Sequence, residues 1–322
     1  MSSRAERKIL VLCDEMDIHA DAVIESCAAR GETVLRLNPE ALLVEPSRVE
    51  IHQSGTACSG YLEWNGKRIT LEDDVRIFCR HLDIPDVASR DSISEALRIE
   101  ELRSWLFAFF RLLDSPRWVN HPDREREFDN KLIQHPIARK AGLEIPNTLA
   151  TNIPDSVRRF DHGHETVVKQ LSEISLIASE EKGYGFYTSV MKLAADDPLD
   201  DLRDCPTLFQ HRIPKESDVR VNVVGDRIFA VSIDSQADAA ASVDFRRVDQ
   251  LAIHPIELPT AVSRSVLEIM HRTGLEFAAF DFARKPDGTY VFLEFNPNGN
   301  WLWIELATAQ PISAAIADHL LA

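Results

Sequence analysis

The sequence predicts an α/β protein with more than one domain, and three observations lead to that prediction. The chain has 322 residues, which corresponds to about two domains at roughly 150 residues each. Hydrophobic residues make up 44% of the chain, a share that supports buried cores. Short apolar strands alternate with helical periodicity at the start, whereas the last third is rich in strands.

The charge balance and the absence of long apolar runs exclude several classes of protein. The 36 basic residues against 52 acidic ones give a formal net charge of −16, which repels a polyphosphate backbone, so we expect no nucleic-acid partner. No apolar run reaches the roughly 18 residues of a membrane span, and the N-terminal sequence lacks the apolar core of a signal peptide. We therefore expect a soluble cytoplasmic protein without a membrane partner.

The first third predicts a small α/β domain. Residues 8–37 follow a strand–helix–strand pattern, and Asn65-Gly66 between two alternating segments predicts a two-residue hairpin. An apolar strand at 75–79 ends at Arg80, and a helix with an apolar face ends at 114–116. We place the first domain boundary there.

The remainder predicts two further segments, which gives domains 1–115, 116–205 and 206–322. Residues 181–186 have the composition of a loop. A helix is predicted at 260–273, and the strands are predicted at 145–150, 166–169, 188–193, 207–210, 219–224, 227–235, 277–283 and 290–295.

Three oxygen-bearing side chains interrupt the last two apolar strands. Glu294 and Asn296 are two residues apart, so they point to the same face of one strand. A turn at 286–288 predicts a hairpin that brings Asp281 beside them. Carboxylate and amide oxygens suit Mg²⁺, which proteins hold through one or two carboxylates together with substrate phosphates. The alternative is a polar strand edge that faces solvent.

Four basic residues are candidates for anion binding, two of them in apolar or alternating strands and two in polar segments. Lys169 ends an apolar strand and Lys131 lies in a polar helix. Arg220 and Arg246 each follow an aspartate by two residues. Lysine and arginine bind phosphate or carboxylate groups. Taken singly, each lysine is also typical of a solvated side chain, and Asp-x-Arg is also typical of a structural ion pair.

The order of these motifs resembles the ATP-grasp superfamily and, within it, the RimK-like ligases that modify ribosomal peptides, the graspetide or microviridin-type maturases. The resemblance extends over nearly the whole chain. It is carried by residues 209–236, by Asp244-Phe245-Arg246 and by residues 277–305, which contain the run Asn-Pro-Asn-Gly-Asn-Trp.

The resemblance implies an ATP-grasp fold, in which an N-terminal α/β domain precedes two lobes that clamp ATP. It implies that Lys131 and Lys169 contact the ATP phosphates, and that residues 183–186 belong to a loop covering them. The remaining roles implied by the resemblance are adenine contacts from Gln210, His211 and Ile213, a ribose contact from Asp218, Mg²⁺ ligation by Asp281, Glu294 and Asn296, and catalytic contacts from Arg220, Arg246 and Arg80.

The sequence departs from the family pattern at two positions. His211 stands where the hinge of the family usually has glutamate, and Arg80-His81 stands where the maturases often have two arginines.

The activity implied by the resemblance is ATP-dependent activation of Asp or Glu side chains in a ribosomal precursor peptide, followed by ester or amide closure. The partners implied are the leader and core segments of that peptide and a second copy of the chain in a homodimer. Two alternatives stay open, a RimK-like ligase that adds a free amino acid and a peptide-binding module without catalysis.

Overall fold

The structure is a computed structural model, and it divides the chain into two compact units. It describes residues 7–80, 82, 93–114, 116–171, 176–179, 182–184, 187–193, 197, 199–248 and 250–322. The first unit comprises Met1–Pro122 and Pro311–Ala322, and the second unit comprises Asp123–Gln310. The predicted boundary at 205 falls inside the second unit, and the division into three domains stays a prediction.

The first unit contains a parallel sheet and a small antiparallel sheet. Its elements before residue 122 are β1 (Arg7–Leu12), α1 (Ile18–Ala28), β2 (Val34–Leu37), β3 (Ser47–Ser54), β4 (Ala57–Trp64), β5 (Lys67–Thr70), β6 (Asp74–Cys79), α2 (Ile93–Leu112) and β7 (Arg117–Val119). The parallel sheet has the order β2-β1-β6-β7, and β3, β4 and β5 form the antiparallel sheet. Leu10, Leu12 and Ile77 share one core with Phe109 of α2, because alternate residues of a strand face the same side.

Two details of the first unit bear on the sequence analysis. The predicted hairpin between β4 and β5 is confirmed, with Asn65 and Gly66 at φ angles of 46° and 71°, as a two-residue hairpin turn requires. β7 was expected to open the next domain, but it pairs in parallel with β6. Three residues are too few for a periodic signal, so pairing within the sheet decides where this strand lies.

Among its described residues, the second unit contains two larger antiparallel sheets and a separate two-stranded hairpin. Its elements are α3 (Pro122–Phe128), α4 (Lys131–Lys140), β8 (Thr148–Thr151), α5 (Pro154–Asp161), β9 (Thr166–Lys169), β10 (Leu176–Ser179), β11 (Lys182–Tyr184), β12 (Ser189–Val190), β13 (Thr207–His211), β14 (Ser217–Val224), β15 (Arg227–Ile233), β16 (Ile253–Ile256), α6 (Thr260–Thr273), β17 (Phe277–Arg284), β18 (Tyr290–Asn296) and α7 (Leu302–Thr308). The four-stranded sheet has the order β12-β9-β13-β8, and the five-stranded sheet has the order β16-β15-β14-β17-β18.

Residues 181–186 were expected to form a loop, but they contain the strand β11. Gly183 and Tyr184 lie in β11, which pairs antiparallel with β10, while Gly185 and Phe186 lie outside the described residues. Such a hairpin forms through backbone hydrogen bonds, which a glycine-containing composition does not reveal.

The final helix, α8 (Ile312–Leu321), belongs to the first unit and packs on α1. The carbonyl oxygens of its last turn and of the C-terminal residue accept hydrogen bonds from Arg7 and Arg117. Among the described helices, none combines the length and apolar character that a membrane crossing requires.

The five-stranded sheet separates a hydrophobic core from a polar face. Val219 and Val221 of β14, Phe280 and Phe282 of β17 and Phe292 of β18 all pack into one core, which α6 closes. Their neighbours in the same strands therefore point to the opposite face. That polar face holds the candidate functional site.

Candidate functional site

Lys131 and Glu294 form a close ion pair between α4 and β18. Lys131 is the first residue of α4, where the Asn130 side chain accepts a hydrogen bond from the Leu132 amide and caps the helix. The Lys131 ammonium lies 2.6 Å from Glu294 Oε2. Burial raises the pKa of Glu294, but Lys131 and Lys169 outweigh burial and lower the pKa to about 2. Glu294 is therefore ionised at neutral pH.

A second ion pair joins the neighbouring strands β14 and β17. Arg220 is paired with Asp281 in the strand register, and its Nη1 donates to Asp281 Oδ2 at 2.8 Å. Its Nη2 donates to the Asn300 carbonyl at 3.2 Å. Burial raises the pKa of Asp281, although Arg220 acts in the opposite direction. Among the described residues, the buried Oδ1 of Asp281 has no hydrogen-bond partner.

The register of β17 and β18 brings the two carboxylates side by side. Asp281 lies directly opposite Glu294 and Ala279 lies opposite Asn296, so the predicted hairpin is confirmed. The register shifts after this pair, because Phe282 lies opposite Phe292 and Leu293 is an extra residue. This β-bulge lets both Phe292 and Phe295 reach the core while Glu294 faces Lys131.

Lys169 and Arg246 lie close enough to Glu294 to affect its ionisation. Burial lowers the pKa of Lys169, and Glu294 partly offsets that effect. Arg246 makes a bidentate pair with Asp244, with distances of 2.9 and 2.7 Å to the two carboxylate oxygens. Burial raises the pKa of Asp244, but Arg246 lowers it to about 2. Asp244 also accepts a hydrogen bond from the Thr188 amide at 3.0 Å.

A pocket lies beside these charges, with about 380 Å³ of empty space that is partly open to solvent. Its wall includes Lys169 and the segment that the sequence analysis assigned to adenine, with lining residues Pro146, Val167, Lys169, Thr188, Gln210, His211, Arg212, Ile213, Lys215, Ser242, Val243, Ala283 and Leu293. The pocket therefore combines one cationic wall with apolar side chains, as nucleotide and small-molecule sites commonly do.

The residues predicted to bind adenine and ribose already have contacts within the protein. Gln210 is buried and donates to Thr148 Oγ1 at 3.2 Å. The His211 ring lies 3.0 Å from the Phe160 carbonyl and stacks on His164. These contacts commit the His211 imidazole to a structural role, and the His211 amide donates to the Asn147 carbonyl at 3.0 Å.

Asp218, the predicted ribose contact, is also paired within the protein. It is buried, and its carboxylate lies 2.7 Å from the Lys215 ammonium. Lys215 itself lines the pocket. A ribose hydroxyl would therefore share Asp218 with Lys215.

The oxygen-bearing residues fit a hard divalent cation. Asp281 offers a buried carboxylate oxygen without a hydrogen-bond partner among the described residues, and the Glu294 carboxylate lies beside it. Asn296 Oδ1 accepts a hydrogen bond from the Asn298 amide at 2.8 Å, and an amide oxygen has two lone pairs. Within the described part of the chain, no group of three His, Cys, Asp or Glu side chains could hold a metal by itself.

Arg80 belongs to the first unit. Its Nε donates to Asp17 Oδ2 at 3.1 Å, and the same aspartate caps α1 through the amides of His19 and Ala20. The neighbouring His81 lies outside the described residues. The catalytic role expected for Arg80 stays a prediction.

Several residues outside the predicted set also shape this site. Gln134 and His135 of α4 bind the backbone of β18, and Lys215 pairs with Asp218. A Cβ at Gly299 would lie only 2.7 Å from Arg220 Nη2. In the sequence, Gln134 and His135 follow Lys131 by one helical turn, and Gly299 follows Asn296 by three positions.

Anion-binding and cation-binding groups lie together on one face of the second unit. Lysine and arginine side chains suit phosphates and carboxylates, and the paired carboxylates suit a metal ion. This combination is the one that phosphoryl transfer requires, because its transition state is stabilised by positioning and charge neutralisation.

The comparisons with solved structures extend over both units. The chain is similar to an ATP-grasp ligase from Chryseobacterium gregarium, solved with ADP and with a leader and core peptide, at 28% identity and a TM-score of 0.86 over 98% of this chain and 97% of that one. It is similar to the macrocyclase MdnB from Microcystis aeruginosa at 31% identity and a TM-score of 0.79, over 98% and 99% of the two chains. It is also similar to the macrocyclase MdnC of the same organism, solved with the precursor peptide MdnA, at 28% identity and a TM-score of 0.81 over 98% of this chain and 99% of that one.

A curated relative and the family models complete the comparison. Beta-citrylglutamate synthase B from Danio rerio is 23% identical over 218 residues, which is 64% of this chain and 50% of that protein. The chain thus spans about half the length of this curated relative. No protein-family model matches the chain.

Fold and site together define an ATP-grasp protein with a mixed α/β architecture, as the sequence predicted. The 31% identity to MdnB over nearly the full length of both chains indicates the group of ATP-grasp proteins to which the chain belongs. The chain belongs to the ATP-grasp ligases associated with ribosomally synthesised and post-translationally modified peptides.

Proposed function

We propose that this protein is an ADP-forming ligase that closes ester or amide crosslinks within a ribosomal precursor peptide. It activates Asp or Glu side chains of the peptide as acyl phosphates and consumes one ATP per crosslink. The observation that carries the proposal is that two ion pairs, Lys131–Glu294 and Arg220–Asp281, lie on the same face of the sheet. Support also comes from the similar ligase solved with ADP, a leader and a core peptide.

The nucleotide would bind in the pocket beside Lys169. In this proposal the backbone of 210–213 meets the adenine, Asp218 meets the ribose, and Lys131 and Lys169 bind the phosphates. Burial already disfavours the charged form of Lys169, so a phosphate partner would stabilise its ammonium group. Mg²⁺ held by Asp281, Glu294 and Asn296 would supply further neutralisation of phosphate charge.

The first chemical step would join a peptide carboxylate oxygen to the γ-phosphorus. The bond between that phosphorus and the bridging oxygen breaks, and ADP leaves with the electron pair. Arg220 and Arg246 would stabilise the charge on the transferred group, because fixed donors aimed at developing charge lower the barrier. Asp281 and Asp244 hold these two guanidinium groups through charge-assisted hydrogen bonds.

The second step would form the crosslink. A hydroxyl or amine of the same peptide attacks the acyl carbon, loses its proton, and displaces inorganic phosphate. Each crosslink therefore removes the elements of one water molecule from the peptide. Because both reacting groups belong to one bound chain, the step is effectively unimolecular and gains from proximity.

The partners of the enzyme are part of the proposal. The leader segment of the peptide would anchor the substrate, and Arg80 would contact a substrate carboxylate. The homodimer expected from the family resemblance and the cytoplasmic location expected from the N-terminal sequence stay predictions.

A second candidate function is the addition of a free amino acid to a carboxylate. The match to beta-citrylglutamate synthase B favours it, because that protein is named for a product that contains glutamate, an amino acid. The two activities share one fold and differ in the acceptor group.

The deciding experiment is the intact mass of a candidate precursor peptide after incubation with enzyme, ATP and Mg²⁺. Loss of one water mass per crosslink, together with an equal amount of ADP, is the expected result. A mass gain equal to an amino-acid residue would support the second candidate. An unchanged mass without ADP release, for peptides with and without a leader, would contradict both.

A further inference from the structure

One face of α4 carries three polar residues that converge on β18. Lys131, Gln134 and His135 occupy positions i, i+3 and i+4, which lie together on a helix surface. All three are buried. Lys131 contacts the Glu294 side chain, whereas the other two contact the backbone of the same strand.

Gln134 uses its whole amide group in buried hydrogen bonds. Its Nε2 donates to the Phe295 carbonyl at 2.6 Å and to the Phe128 carbonyl at 2.7 Å. Its Oε1 accepts from the Phe295 amide at 3.0 Å. The side chain therefore pairs with Phe295 as a neighbouring strand would, and it does so across 161 residues of sequence.

His135 binds the residue on the other side of Glu294. Its Nε2 lies 3.1 Å from the Leu293 carbonyl and donates to it. The ring also packs edge-on against Phe292. Leu293 is the extra residue of the β-bulge, so this hydrogen bond holds the backbone at the point where the strand departs from regular alternation.

These contacts hold the backbone on both sides of Glu294. Within the described residues, β18 is an edge strand of its sheet, and a single parallel bridge between Glu144 and Val291 meets its outer side before the β-bulge. A one-residue change of register would turn Glu294 toward the core. The helix that supplies Lys131 instead binds Leu293 and Phe295, which keeps Glu294 facing Lys131.

We propose that Gln134 and His135 are positioning residues that hold Glu294 in the orientation required for Mg²⁺ and ATP phosphates. The inference rests on the proposed function, in which Glu294 is a metal ligand. Neither residue touches the reacting atoms, and both act through the backbone of β18.

The test compares Gln134→Met with Gln310→Met. Methionine preserves the length of glutamine but removes its hydrogen bonds. Gln310 is the matched control, because its Nε2 also donates to a backbone carbonyl of the same sheet, that of Ala230 at 3.3 Å. Calorimetry would measure Mg²⁺ affinity at saturating ADP, and urea unfolding would measure stability. We expect Gln134→Met to weaken Mg²⁺ binding about tenfold, as the loss of supporting contacts around a metal site typically does, and Gln310→Met to leave it unchanged.

His135 supplies a second pair of variants that decides the question if Gln134→Met does not fold. His135→Phe keeps the aromatic contact and loses the donor, whereas His135→Gln keeps a donor for the Leu293 carbonyl. Weaker Mg²⁺ binding in His135→Phe with wild-type binding in His135→Gln would support the inference. Wild-type Mg²⁺ affinity in the folded Gln134→Met, or in both His135 variants, would overturn it. Absence of Mg²⁺ and ADP binding in the wild-type protein would instead contradict the proposed function.

Discussion

Replacement of Gly299 by alanine tests whether the position of Arg220 controls the reaction. The φ angle of Gly299 lies outside the left-handed region, so its backbone conformation is open to any residue. The space around Gly299, however, leaves no room for a side chain. A Cβ at this position would lie 2.5 Å from the Ala279 Cβ and 2.7 Å from Arg220 Nη2. Glycine is required here because the backbone approaches Arg220 closely.

The structure gives the size of the expected effect. Relief of the contacts requires movement of about 1 Å, and overpacking of this kind costs about 1–3 kcal/mol. Ala279 Cβ cannot rotate away, so the run 297–300 and the guanidinium must move together. Arg220 would then lose its hydrogen bonds to Asp281 and Asn300. We expect kcat/KM to fall roughly 10- to 100-fold, since charge-assisted hydrogen bonds contribute about 1.5–3 kcal/mol.

The assay follows ADP release and peptide mass together, with urea unfolding as the stability control. The double variant Gly299→Ala with Ala279→Gly removes one of the two contacts and leaves the one with Arg220. If Arg220 matters, activity stays low in the double variant although stability recovers. Wild-type kcat/KM in Gly299→Ala would refute the reasoning. Full recovery of activity in the double variant would show that only packing was disturbed.

Three further predictions concern individual charges. Glu294→Gln should lower Mg²⁺-dependent ADP release by up to about 100-fold, and turnover at the wild-type rate would rule out the metal assignment. Asp244→Asn removes the carboxylate that accepts two hydrogen bonds from Arg246. We therefore expect the free energy of unfolding in urea to fall by about 2 kcal/mol, and an unchanged value would contradict a stabilising role for this ion pair. Burial lowers the pKa of His19 from 6.5 to about 4. The unfolded chain therefore binds the proton more readily than the folded chain. As the pH falls from 6.5 to 4, the free energy of unfolding should decrease by up to about 3 kcal/mol. His19→Gln should show a flatter pH dependence, and identical curves would contradict the assignment.

The hairpin at the site could be predicted because its signals are local. Two apolar segments flank Pro286-Asp287-Gly288, and the acids stand out within them. Period-two alternation explains why Glu294 and Asn296 share a face. The β-bulge at Leu293 had no such signal, because it arises from pairing with β17 and from core packing of Phe292 and Phe295.

Residues that act through distant contacts were harder to find. The hydrogen bonds of Gln134 to Phe295 span 161 positions, and a glutamine in a helix carries no pattern that names its partner. α8 likewise joins the first unit from the far end of the chain, since its buried face is satisfied only by elements formed at the start. Tertiary packing therefore decides where such a helix lies.

Charge balance in the site predicts that metal and nucleotide bind together. Glu294 is neutralised by Lys131 and Lys169, and Asp281 is neutralised by Arg220. A cation that binds alone would displace these basic groups and leave them buried without a partner, which is unfavourable. ADP supplies phosphates that accept the displaced lysines, so each charge exchanges one partner for another. We therefore expect calorimetry to give about tenfold or more tighter Mg²⁺ binding with ADP than without it, the usual size of such coupling. Equal affinities in the two titrations would contradict this exchange.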